Sequence, residues 1–570
     1  MNEAVREQLL AAGLANQRRG ELAQAEHCYR LVLTQRPRDA DALYRMGVLA
    51  LQCANAQGAL RYLRETQRLR DLDADGWYNL GMAHVLDYAV DEARVAFERA
   101  RDLDPAHPSA AVSLGNVHKL MGRAREAGGA YLAAVASPRT DPVLFSQLLI
   151  GLHTNPTIDA DTLFELHREW ARRYASRWYP RATHFENTPD PGKRLTIGLL
   201  SPKFSADIVG HFLRGVVRPL AEEAKLCFYH AGTSTDWVTA ELQQSNVAWR
   251  DISRMDDDAA AALILRDRVD VLVDLAGHAP NHRLLLFARK PAPVQVTWLD
   301  YFDTTGLDTM DVLVTDRVST PPALVERGVQ RFVEAIAYLP HSRLCFTAPP
   351  FAPPVATLPA SSRGHVTFGC FGRVDKVLPE VVALWSRLLA AIPSSRLLLE
   401  SGGFDVQPVR ERISREFESH GIARERIELR GGTTHERLLA DYADVDIALD
   451  TFPYNGGATT CDALWMGVPV VTLAGEAMIA RQGASLLTAA GHPEWIAEND
   501  NDYVAIARRL ASDLPRLDDT RRGLRPHLAA SPLCDGPAFA GDLLDVLREP
   551  WQRWCASRVA NESSIALERP

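Results

Sequence analysis

Small and apolar residues return every 34 positions through the first 135 residues of this 570-residue chain. Glycines stand at 13, 47, 81 and 115, and alanines at 25, 59, 93 and 127. A large residue follows each alanine by four: Tyr29, Leu63, Phe97 and Tyr131. Pro37 and Pro105 close two of the units. This pattern predicts stacked pairs of antiparallel helices. The small residues sit where the two helices of a pair approach closely, and the large residue fills the gap to the next pair. Residues 137 to about 181 stay helical in pattern, including EWARRYASRW, but lose the period, which predicts a cap on the array. Residues 188–193, TPDPGK, read as a linker.

Beyond Lys193 the pattern changes to short apolar runs alternating with helical stretches. The first series of expected strands covers 195–200, 226–230, 269–275, 294–299 and 312–315. A Pro/Ala-rich stretch at 348–359 separates it from a second series at 366–371, 396–400, 427–430, 445–449 and 469–473. Strands alternating with helices predict parallel sheets covered on both faces. The fold class is therefore an α-helical tetratricopeptide superhelix followed by two Rossmann-like α/β domains. Ligands bind such sheets at the carboxyl ends of the strands. The superhelix offers a concave groove suited to an extended peptide or partner protein, or serves as a structural arm.

The segment VDIALDTFPYNGGATTCDALWMG, 445–467, carries the most specific chemistry. An apolar strand ends at Asp450, turns through Pro453, Tyr454, Asn455, Gly456 and Gly457, and enters a helix at Ala458, Thr459 and Thr460. Such a junction aims free N–H groups and the positive end of a helix at one point, which suits a pyrophosphate. Asp462 follows within reach of ribose hydroxyls. The plain alternative is an ordinary strand–helix corner.

Composition narrows the class without naming it. A net charge of −9 gives no support to nucleic-acid binding. The chain has only six lysines, so each one merits inspection. Eight scattered cysteines without a C-x-x-C pair argue against a zinc site or a disulfide framework. They fit a reducing, cytoplasmic setting. The polar, acidic N-terminus predicts no signal peptide, and no apolar run reaches the length of a membrane span. Neither a P-loop lysine motif nor H-E-x-x-H is present.

The repeats, the twin α/β series and DTFPYNGGATTCDALWMGVPVVTLAGE together resemble the protein O-linked N-acetylglucosaminyltransferase family, in a bacterial form. The resemblance runs from about residue 5 to about 555. It is carried also by VDVLVDLAGH (269–278), RKPAPVQVTWLDY (289–301), HVTFGCFGRVDK (365–376) and SPLCDGPAFAGDLL (531–544). It implies an inverting, metal-independent GT-B enzyme with no cofactor beyond its UDP-sugar donor. It also implies a protein acceptor lying in the tetratricopeptide groove. Lys376 matches the lysine that contacts the donor pyrophosphate. Thr459 and Thr460 overlap a His-Thr-Thr phosphate segment, with Gly457 and Ala458 in place of its first residues. Asp462 matches the ribose aspartate, and His435 aligns with the nucleotide-side loop. In SPKFSADIVGHF the column of the family's proposed base holds Asp207, with His211 four residues on. Asp207, His211 and His278 are therefore the candidate bases. Asp207 alternatively caps the following helix, and His211 alternatively packs inside it. Asp300 and Phe302 replace a usual glycine and proline, Ala279 replaces a threonine and Arg373 an amide. Several of these columns lie near the donor sugar in the family, so Asp300 is expected in the donor pocket.

The expected layout is repeats over 1–136, cap and linker over 137–190, an N-terminal catalytic half over 191–347, a UDP-binding half over 360–555, and a disordered tail over 556–570. The expected reaction transfers GlcNAc from UDP-GlcNAc to Ser/Thr hydroxyls of proteins. Two alternatives stand beside it: a different sugar or a non-protein acceptor, and a tetratricopeptide scaffold with a decayed catalytic half.

Overall fold

The computed structural model describes the backbone of residues 1–567 and the side chains of residues 1–558. The chain divides into two compact units, 1–148 and 149 onward.

In the first unit four helix pairs follow the 34-residue period: Glu3–Arg18 with Leu22–Gln35, Ala40–Gln52 with Ala56–Leu69, Ala74–Leu86 with Val90–Leu103, and Pro108–Leu120 with Ala124–Ala136. Asp39, Asn55 and Asp73 cap three of these helices, accepting from Ala42, Gly58 and Gly76 N–H groups. The glycines stand where helices touch, as their spacing predicts. A Cβ added to Gly81 would lie 2.5 Å from a ring carbon of Phe97, and one on Gly13 would lie 2.3 Å from Tyr29. Gly47 faces Leu63 and Gly115 faces Tyr131 in the same way. The large residue thus covers the glycine of its own hairpin, where the sequence reading placed it in the gap to the next one. The physical reason is direct: the ring can lie flat on a backbone only where no Cβ stands.

The second unit begins with helical segments, among them Ala160–Trp170, and then builds two parallel sheets. The first contains β1 (Thr196–Ser201), β2 (Lys225–His230), β3 (Ala248–Asp251), β4 (Val271–Asp274), β5 (Val294–Thr297), β6 (Val312–Asp316) and β7 (Ala335–Leu339), in the order β3-β2-β1-β4-β5-β6-β7. The second contains β8 (Thr367–Cys370), β9 (Arg396–Glu400), β10 (Ile427–Arg430), β11 (Ile447–Leu449), β12 (Val470–Leu473) and β13 (Ile496–Ala497), in the order β10-β9-β8-β11-β12-β13. Central strands such as β4 and β5 are buried along their whole length, because helices cover both faces. The edge strands β3, β7 and β13 were not foreseen. β3 is largely exposed and β13 has two residues, so neither carries a long apolar run, whereas β7, AIAYL, is apolar throughout and mostly half-buried.

The two sheets meet at the carboxyl ends of their strands. The Ser485 hydroxyl donates to Asp316 at 2.8 Å, and Arg481 donates to the Val318 carbonyl at 2.6 Å. The final helix, Gly536–Leu567, crosses back onto the N-terminal half. There Trp551 donates to the Asp190 carbonyl at 2.9 Å, and Phe539 stacks 5.9 Å from Trp298. The tail expected from 556 continues this helix to Leu567, while 568–570 lie outside the described residues. Among the described residues no helix is long and apolar enough to cross a membrane.

Candidate functional site

β8 and β11 are neighbours, and the loops leaving their carboxyl ends enclose a small cavity lined by Gly372, Lys376, Asp450, Gly456, Thr459 and Thr460. Asp450 organises the loop. Its buried carboxylate accepts from Gly456 N–H at 2.6 Å, Thr451 N–H at 2.9 Å and the Thr472 hydroxyl at 2.7 Å. Burial raises its pKa to about 6 against these bonds. Asn455 is buried too and donates to the Thr451 carbonyl at 2.8 Å. It therefore shapes the turn through its side chain and meets Lys376 through its backbone. Gly456 is required sterically: a Cβ there would lie 2.7 Å from the Thr460 hydroxyl and 2.9 Å from that of Thr459. The helix Ala458–Trp465 follows Gly457, with no side chain capping its start. Its first N–H groups are left for a ligand or for water.

The Lys376 ammonium donates to the Asn455 carbonyl at 2.9 Å and lies 3.7 Å above the ring of Tyr454. Burial lowers its pKa to about 8, with help from the neighbouring Arg373 charge. Tyr454, which the sequence reading took only as a turn residue, lies beneath that ammonium.

A second group forms around Asp462. Its carboxylate lies 3.0 Å from His435 Nε2, which raises the His435 pKa above the usual value. The ring of His211, from the N-terminal half, lies 5.4 Å from that of His435. Burial and the His435 charge push the His211 pKa down, so its imidazole is neutral at pH 7.

The other candidate bases have different roles. Asp207 is the N-cap of the helix Ile208–Glu223, accepting from Ile208 N–H at 2.6 Å. A carboxylate held by a helix start is a cap before it is a base. His278 is fully buried, 3.0 Å from the Thr305 carbonyl and 4.9 Å edge-on to Trp170. Burial drives its pKa far down. Asp300 is not part of the 450–462 loop's own bonding. Its carboxylate takes a bond from Lys203 at 2.9 Å. Lys203 is the second residue the sequence reading missed, and the scarcity of lysine was the available signal. Three further side chains, His153, His167 and Asp303, stand close enough to hold a metal ion. His153 already lies 2.8 Å from Asp303, and His167 lies 2.7 Å from the Tyr301 hydroxyl.

Two parallel sheets, with an uncapped glycine-led helix start beside a buried lysine at the strand ends, make an arrangement that suits an anionic ligand. The model of glycosyl transferase family 41 matches residues 178–346 and 357–543, and the chain belongs to that family. A solved mutant of Thermobaculum terrenum O-GlcNAc transferase is similar over 98% of this chain and 100% of its own, with 33% identity and a TM-score of 0.78. The probable UDP-N-acetylglucosamine–peptide N-acetylglucosaminyltransferase SPINDLY of Arabidopsis thaliana is 38% identical over 424 residues. That match takes in 73% of this chain and 45% of the plant protein. A Caenorhabditis elegans UDP-N-acetylglucosamine–peptide N-acetylglucosaminyltransferase is 23% identical over 480 residues, 64% of this chain and 41% of its own. The chain spans about half the length of the curated relatives it matches.

Proposed function

We propose that the chain transfers N-acetylglucosamine from UDP-N-acetylglucosamine to serine or threonine hydroxyls of proteins, with inversion at the anomeric carbon. The observation that carries this reading is the cavity between Lys376 and the start of the helix Ala458–Trp465. In this reading the pyrophosphate sits at the helix start, against the N–H groups that follow Gly457 and the hydroxyls of Thr459 and Thr460. Lys376 exchanges the Asn455 carbonyl for a phosphate oxygen and neutralises the charge that grows on UDP as the sugar–phosphate bond breaks. His435, paired with Asp462, adds positive charge on the same side. No metal takes part in this scheme, because these two groups supply the electrostatic stabilisation. His211 takes the proton of the attacking hydroxyl as the new bond to the anomeric carbon forms. Asp207 holds the first turn of the helix that carries it.

The tetratricopeptide groove presents the acceptor protein. The eight free cysteines support a reducing, cytoplasmic setting. The test is calorimetry of the full chain with UDP, UDP-GlcNAc, UDP-glucose and UDP-galactose, followed by mass spectrometry of candidate acceptor proteins after incubation with the preferred donor. Selective binding of UDP-GlcNAc and a HexNAc mass increment on serine or threonine are expected. Failure to bind UDP, or preference for another sugar, overturns the reading.

A further inference from the structure

We infer that Lys203 and Asp300 form a hydroxyl-reading pair that selects the sugar of the donor without contributing to nucleotide affinity. This rests on the reading of the cleft as a UDP-sugar site.

The two residues come from separate loops at the carboxyl ends of β1 and β5, which flank β4. That end of a parallel sheet is where ligands bind. Lys203 Nζ lies 2.9 Å from Asp300 Oδ2 and 3.8 Å from Asp207 Oδ1. The Asp300 side chain is 6% exposed and that of Lys203 is 22% exposed. A pair so placed is desolvated on the carboxylate side and open on the ammonium side. Burying it costs more than an apolar pair of the same size would, so stability alone gives the chain little reason to hold it there.

The backbone around Asp300 is held in an unusual state. Leu299 has φ +87°, a conformation in which a leucine is strained. The carbonyls on both sides of Asp300 are fixed by one buried guanidinium: Arg343 donates to the Leu299 carbonyl at 2.6 Å and to the Tyr301 carbonyl at 2.7 Å. Strain, burial and bracing all act to present one carboxylate at one point.

The loop that carries Asp300 reaches the ring beneath Lys376. Phe302, two residues on, contacts the ring of Tyr454 at a centroid distance of 5.4 Å. The same ring lies under Lys376 at 3.7 Å. The sugar is attached directly to the phosphate that Lys376 would hold, so its hydroxyls are the ligand groups nearest the 299–302 loop. A carboxylate accepts from a hydroxyl proton, and the ammonium, with one proton on Asp300, has others for hydroxyl oxygens. A site built to bond a particular hydroxyl rejects a sugar that places it elsewhere, because its buried polar groups are then left unpaired.

Asp300→Asn and Lys203→Met are compared with the unmodified full chain by UDP calorimetry and by donor hydrolysis with UDP-GlcNAc, UDP-glucose and UDP-galactose. We expect UDP affinity to stay within about twofold and the kcat/KM ratio between the preferred sugar and the others to fall by about tenfold or more. Circular dichroism checks folding. Should either variant unfold, Lys203→Arg keeps the ion pair and moves the donors, and it is expected to lower the same ratio by about fivefold. An unmoved sugar ratio with intact UDP binding overturns this inference alone. A parallel loss of UDP affinity also overturns it. Failure of the unmodified chain to bind UDP removes the parent reading and this one together.

Discussion

Lys376 has exchanged water for a carbonyl and an aromatic face, and its positive charge is correspondingly easy to lose. Its folded pKa of about 8 lies below the ordinary lysine value, so the cation is present below pH 8 and disappears as the pH rises through it. If the free enzyme needs that charge, kcat/KM for donor hydrolysis declines above about pH 8. Lys376→Arg, which stays charged, flattens that decline. Lys376→Met should lower kcat/KM by at least about tenfold, or about 1.4 kcal/mol, in steady-state assays. The two candidate bases separate in the same way. His211 is depressed, so its neutral form persists to lower pH and is lost only as the pH falls through that lowered value. His211→Asn should cost about a hundredfold in kcat and remove the acid limb of the pH profile. Asp207→Asn keeps a good cap and should cost less than about tenfold. Equal losses in the two variants would return Asp207 to the chemistry. Lys376, Thr459, Thr460 and Asp462 could be singled out in the sequence because they stand in one uninterrupted motif or beside a predicted strand. For Asp207 the sequence left cap and base side by side, and for His278 it did not show the burial, because a cap, a core imidazole and a base use the same residue types.

At the scale of elements, the hairpins depend on contacts between residues sixteen apart, which a repeat period exposes directly. Gly81→Ala forces a methyl into the ring of Phe97 and should destabilise the first unit by about 1–3 kcal/mol, seen as an earlier melting transition. Adding Phe97→Leu should recover part of the loss, and a double-mutant cycle measures the coupling. A second local prediction concerns His153 and Asp303. Burial raises the Asp303 carboxyl, but the bond from His153, the charges of His167 and His153 and the Thr304 N–H together outweigh it and hold the group below the usual carboxylate range. The stabilisation is therefore present above the unfolded carboxylate pKa and is lost as the pH falls through the lower folded value. His153→Ala should cost about 3 kcal/mol near neutral pH, and less in acid. Urea melts at two pH values check this. The central strands were legible as apolar runs. The edges β3 and β13 were not, because a strand with an exposed face or two residues needs its neighbours to exist, and the short apolar run of β7 was passed over.

For the molecule as a whole, the proposed donor site draws its base, His211, from the N-terminal half and its cavity from the C-terminal half. UDP should therefore stabilise the second unit by linkage, by about 2.7 kcal/mol at a hundred times its dissociation constant. A raised melting temperature for the unmodified chain, much reduced in Lys376→Met, is the expected calorimetric result. An equal shift in both would place the nucleotide away from Lys376. By itself the sequence determined the repeat array, the twin parallel sheets, the phosphate-type turn and the family, because each is written in residues close together along the chain or spaced at a fixed period. Only the tertiary structure decided that His211 lies beside His435, that His278 is interior, and that Lys203 meets Asp300. Those facts depend on how strands are ordered in a sheet and how two sheets face one another, and such distances through space leave no period or spacing in the chain.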